Sequence, residues 1–139
     1  MADTSESSEI HKSYIEANSK LDHVVLGALV ALSAYLAHTN PYSKLGLNPS
    51  TLMLISLLLI SLSAYFCLRR LHGGVLLLKH NASLFSAFEN SDIVGVKAYR
   101  EQCDKYVLST YRCYWLRQWT MFLGFAFYVG AKVWIPYVT

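Results

Sequence analysis

Apolar residues in this chain gather into three blocks, and between the blocks they recur at helical spacing. The blocks are LDHVVLGALVALSAYLAH (Leu21 to His38), TLMLISLLLISLSAYFCL (Thr51 to Leu68) and WTMFLGFAFYVGAKVWIPYV (Trp119 to Val138). The first has an uncharged apolar centre from Val24 to Ala37, the second carries no charge, and the third is interrupted only by Lys132. A bilayer core about 30 Å thick is crossed by a helix of about 20 largely apolar residues. Each block therefore predicts a transmembrane helix.

The stretch between the second and third blocks has its own order. Leu77, Leu78, Ala82, Leu84, Phe85 and Phe88 fall on one helical face, and Val96, Tyr99, Cys103, Tyr106, Thr110 and Tyr114 on another. Between them Glu89-Asn90-Ser91-Asp92 supplies turn and N-cap residues. No Gly or Pro occurs from Lys97 to Leu123, so the second of these helices is expected to run unbroken into the third span. Ile10, Tyr14, Ala17 and Leu21 likewise place an amphipathic helix ahead of the first span. TNPYSKLGLNPS, with Pro41, Gly46 and Pro49, reads as a loop, in which Asn48-Pro49 suits an N-cap and first helical position.

Folding the chain at Asn90/Ser91 sets Arg69-Arg70 and Arg112 about 21 residues from the turn on either side, so at about 1.5 Å per residue the hairpin projects roughly 30 Å beyond one membrane surface. Arg69-Arg70 then marks the end of the second span, and Gly73-Gly74 is predicted to bend the helix as it leaves the membrane. The expected architecture is an all-α integral membrane protein with three transmembrane helices extended into a cytoplasmic helical hairpin and three-helix bundle. It forms a single membrane domain over 1–139: an amphipathic helix plus first span (8–38), the second span plus a cytoplasmic helix (51–89), and a cytoplasmic helix plus the third span (92–137).

Charge sets the orientation. Arg69, Arg70, Lys79, Lys97, Arg100, Lys105, Arg112 and Arg117 lie between the second and third blocks, whereas the connection from Thr39 to Ser50 holds only Lys44. The positive-inside rule places the long segment in the cytoplasm, with the N-terminus inside and the C-terminus outside. Tyr114, Trp115 and Trp119 then fall at one interface, and Trp134 and Tyr137 at the other. MADTSESSEIHKS is acidic and polar, unlike a secretory signal, so insertion is expected to use internal segments of a multi-pass protein of the cell inner or plasma membrane.

Composition agrees: the 139 residues are 54% hydrophobic, with a mean hydropathy of +0.31, above the usual range of a soluble domain. A net charge of +3 with no basic run longer than Arg69-Arg70 argues against nucleic-acid binding. Cys67, Cys103 and Cys113 have neither disulfide-scaffold nor zinc spacing and read as small packing residues. His11, His23, His38, His72 and His80 form no pair at haem-ligating depth and no HExxH, so no cofactor or metal is expected. Asn81-Ala82-Ser83 matches a glycosylation sequon, but it falls in the part expected to be cytoplasmic.

Candidate sites remain in three groups. Lys20, Arg69, Arg70, Arg112 and Arg117 form a basic girdle expected to meet anionic lipid headgroups or an acidic partner. Arg117 stands about 7.5 Å deeper than Arg112 on a helix, where an ionised side chain needs a partner, and Asp22 is the available carboxylate. Gly27 with Ala31, and Ala126 with Gly130, are small-xxx-small pairs suited to close helix packing, within the chain or between copies. Ser56, Ser61 and Ser63 either form a polar seam or bond back to their own helix.

Phe85, Phe88, Tyr99, Tyr106 and Tyr111 exceed what a two-helix hairpin can bury between its faces, which points to cover by the N-terminal helix, another copy or another protein. The expected function is therefore that of a non-enzymatic membrane protein acting by assembly, as a homo-oligomer or a subunit of a larger complex. The alternatives are a pore-forming, transport or membrane-permeabilising effector gated by its cytoplasmic helices and, less favoured, an integral-membrane enzyme.

Overall fold

Three α-helices carry the chain, α1 (Asp3–Thr39), α2 (Pro49–Glu89) and α3 (Ile93–Val138). The computed structural model describes residues 3–40, 46 and 48–138, without the side chains at 3–12, 14 and 135–138. Expectations placed on the side chains of Ile10, His11, Tyr14 and Tyr137, and on Pro41 and Lys44 of the loop, lie outside what is described.

Each helix is longer than a bilayer requires. The 41 residues of α2 extend about 60 Å at about 1.5 Å per residue, roughly twice the hydrocarbon thickness. The Asn48 side chain caps its start, accepting from the Thr51 backbone N–H at 2.9 Å, with Pro49 in the first turn. This is the cap expected from the Asn-Pro dipeptide. The turn is also where the sequence puts it: α2 ends at Glu89 and α3 begins at Ile93. Asp92 caps α3 by accepting the Gly95 backbone N–H at 3.0 Å. Ser91 closes the turn with φ at 56°, the left-handed region that normally favours glycine.

α2 continues through Gly73-Gly74 without interruption. A Cβ at Gly73 would meet the Thr110 hydroxyl at 3.0 Å, whereas one at Gly74 would meet nothing within 4 Å. Gly73 therefore lets α3 approach α2.

α2 and α3 pack antiparallel along their length, and α1 lies against α2. Ser56 faces Gly124, Ser63 faces Arg117 and Asn81 faces Cys103, pairs nearly equidistant from the turn. The same register sets Arg69-Arg70 level with Arg112. The core is Leu29 and Leu36 of α1 with Ile60, Ala64 and Cys67 of α2, sealed by Met121 and Tyr128 of α3.

By length and composition, two segments among the described residues suffice to cross a membrane, Ile15–Thr39 and Pro49–Glu89. The apolar stretch of α3 from Trp119 runs into 135–138, whose side chains lie outside the described residues.

Candidate functional site

A charged cluster ties the three helices together at one level. Asp22 of α1 is buried, and a single carboxylate oxygen, Oδ1, accepts from Arg70 Nη1 of α2 at 2.9 Å and from Arg117 Nη1 of α3 at 2.8 Å. The Tyr114 ring lies beside both guanidiniums, 4.9 Å from Arg70 Cζ and 5.2 Å from Arg117 Cζ. That spacing is favourable for cation–π attraction, and more so away from water. The Asp22 main-chain carbonyl accepts from the Cys67 thiol at 3.5 Å. The Cys67 sulfur in turn lies 3.8 Å from Arg117 Nη1.

Arg117 is also held through its backbone, since Ser63 Oγ donates to its carbonyl at 3.0 Å. Its Nε is buried without a hydrogen-bond partner among the described residues. Two cations against one anion leave the cluster with one uncompensated positive charge. Ion pairs this enclosed tie the three helices together, because removing Asp22 strands two charges away from water.

The expected Asp22/Arg117 pair is therefore present, with Arg70 as a second cation on the same oxygen. This revises the girdle. Arg117 and Arg70 are turned inward, whereas Lys20, Arg69 and Arg112 are exposed. His23 and His72 are exposed beside the cluster, with His23 Nδ1 2.7 Å from the Ser19 carbonyl oxygen.

The serine seam is partly as expected. Ser56 and Ser63 are fully buried and donate to α3 main-chain carbonyls, of Gly124 at 2.7 Å and of Arg117 at 3.0 Å. They bond across to the next helix and not back to their own. Ser61 faces outward.

The small-residue pairs are corrected for packing inside the chain. Gly27, Ala31, Ala126 and Gly130 are all exposed, and a Cβ at Gly27 or Gly130 would touch nothing within 4 Å. Close approach within the bundle belongs to Gly124, where a Cβ would meet Ile60 Cγ1 at 2.8 Å and Leu59 Cβ at 3.2 Å. The Gly/Ala pairs pointed past it, since Gly124 has no Gly or Ala four residues away in either direction.

Cys67, Cys103 and Cys113 are free and buried, consistent with packing. Among the described residues no group of three or more His, Cys, Asp or Glu is placed to hold a metal ion. Of the hairpin aromatics, Tyr106 stacks on His80 with ring centroids 5.2 Å apart, and Tyr99 lies 6.5 Å from the same ring. Phe85, Phe88 and Tyr111 stay exposed.

Beside the ion cluster a cavity of about 680 Å³ opens between α1 and α2, with Asp22, Arg70, His23 and His72 in its wall. Fold and site together define a helical bundle with two segments able to span a membrane and an internal charge cluster joining all three helices. No family model, curated protein or solved structure matches the chain.

Proposed function

We propose that this is a non-enzymatic multi-pass membrane protein that acts by assembly, as a homo-oligomer or, failing that, as a subunit of a larger membrane complex. In this reading the second half of α3, from Trp119, is the third span. The N-terminus lies on the cytoplasmic side of a cell inner or plasma membrane, and the C-terminus lies outside. Support for the third span comes from Trp119, Phe122, Leu123, Phe125 and Val129, which are exposed on the bundle surface and suit lipid better than water.

The observation that carries assembly lies at the other end. Past the level of Arg69 and Arg112, Phe85 is 70% exposed, Phe88 58%, Ile93 83% and Val94 81%. Apolar side chains crowded at the tip of a hairpin in water mark a contact surface, and a second copy of the chain offers the same patch for a symmetric interface. Exposed Lys20, Arg69 and Arg112 would meet anionic headgroups where the bundle leaves the bilayer.

The pore reading is less favoured. A lumen needs a polar stripe, and two of the three serines that suggested one are spent on α3 carbonyls. An enzyme is less favoured because the Cys67 thiol is fully buried against a carbonyl and a guanidinium, away from any substrate in solvent.

The test is the mass of the full chain in mild detergent, wild type against Phe85→Glu/Phe88→Glu. Assembly predicts a multiple of 15.7 kDa for the wild type and a shift towards one copy for the variant. A wild-type chain that runs as a single copy would remove the homo-oligomer.

A further inference from the structure

We propose that the groove between α1 and α2 holds one anionic phospholipid, its phosphate on Arg70 and one acyl chain along Leu26 and Leu68. The inference rests on the membrane reading above and assigns it a specific lipid site. The cavity volume, about 680 Å³, falls within the roughly 300–1,000 Å³ typical of small-ligand sites. Leu26 and Leu68 lie on the side of the spans, the larger part of the wall, with Leu71, Val75, Leu78 and Thr110, lies beyond the end of the second span, and Asp22, His23, Arg70 and His72 lie at the level where that span ends. Phosphate groups of a bilayer stand at that depth, just outside the hydrocarbon.

Charge selects an anion. Arg70 and Arg117 share one carboxylate, so one positive charge is left over, and of the two Arg70 is the less buried, with its side chain 13% exposed. Among the described residues Arg70 makes one hydrogen bond, through Nη1 to Asp22. Its remaining N–H donors are the fork that suits a phosphate. Burying a cation beside lipid without full compensation is unfavourable, and an anionic headgroup supplies the missing charge where a zwitterionic one supplies none net.

A second, independent feature points into the same space. The Thr110 hydroxyl on the α3 side of the cavity is buried and has no hydrogen-bond partner among the described residues. A buried hydroxyl left so costs about 1–3 kcal/mol, and a ligand oxygen in the groove would satisfy it. Gly74 also lines the cavity, and a Cβ there would meet nothing within 4 Å. The space is thus open at a position where a side chain could fill it.

The experiment is native mass spectrometry of the full chain in detergent, titrated with phosphatidylglycerol or phosphatidylcholine. The expected result is one phosphatidylglycerol per chain, retained at least tenfold better than phosphatidylcholine. Gly74→Leu, which points a side chain into the groove from a position where a Cβ meets nothing within 4 Å, should abolish the adduct while helix content is kept. Arg70→Gln should weaken it at least tenfold, and Arg112→Gln, at the same level but outside the groove, should leave it unchanged.

Equal retention of the two lipids, undiminished binding in Gly74→Leu, or no wild-type adduct would each overturn the proposal. A chain that stays soluble without detergent would instead overturn the membrane reading on which it rests. The number of lipids per chain and the number of chains per particle are read separately from one spectrum, so the lipid site and the assembly fail independently.

Discussion

Arg117 of α3 reaches Asp22 of α1 across 2.8 Å, with both side chains less than a tenth exposed. Because Arg70 uses the same carboxylate oxygen, Asp22 is the hinge of the cluster, and its loss strands two cations where the loss of either Arg strands none. Asp22→Asn is therefore expected to destabilise the bundle by about 3–5 kcal/mol, more than Arg70→Gln or Arg117→Met. Thermal or denaturant unfolding in detergent ranks the three. A double-mutant cycle between Asp22→Asn and Arg117→Met should show coupling, and strict additivity would mean that the pair contributes nothing of its own.

Gly124 is the point of closest approach between α2 and α3. Gly124→Ala drives a methyl into Ile60 and Leu59 and should cost about 1–3 kcal/mol. Gly27→Ala and Gly130→Ala meet no atoms and should leave unfolding unchanged or slightly delayed through better helix propensity. A reversed order would show that the helices pack on the other glycines.

Side-chain hydrogen bonds between membrane helices average about 0.6 kcal/mol and reach about 1.7 kcal/mol. Ser56→Ala and Ser63→Ala should each fall in that range, since each removes a bond to an α3 carbonyl. Ser61→Ala, on an exposed face, should do nothing. The same unfolding assay separates them.

At the hairpin tip, Ser91 holds a left-handed φ of 56°. Glycine adopts that conformation without the Cβ penalty, so Ser91→Gly should raise stability by about 0.5–1 kcal/mol, the relief outweighing the extra freedom of the unfolded chain. A lower melting temperature would place the Ser91 side chain in a stabilising role not evident from its contacts.

Much of this arrangement is legible along the chain, and the division has a physical cause. Position along a helix is fixed by counting residues, so the turn at Asn90/Ser91, the level shared by Arg69-Arg70 and Arg112, and the depth of Arg117 that demanded a partner all follow from spacing. Rotation about a helix axis is read from periodicity, and that signal is weak in α2 and α3, which carry apolar residues nearly all round. For that reason Arg70 as a second partner of Asp22, the inward face of Gly124, and the outward faces of Ala126 and Gly130 were not legible. The cavity beside Asp22 was hidden for the same reason, since Leu26, Leu68 and Gly74 converge only once the rotations of α1 and α2 are known.

The most direct test of assembly is cross-linking in intact membranes through a cysteine at the hairpin tip. Phe88→Cys puts a thiol at an exposed position, while Cys67, Cys103 and Cys113 are buried and serve as an internal control in the wild type. Self-assembly through this patch predicts an oxidant-dependent, reductant-reversible band at twice the 15.7 kDa chain mass for Phe88→Cys alone. A band of one chain only, or cross-links solely to other proteins, would contradict it.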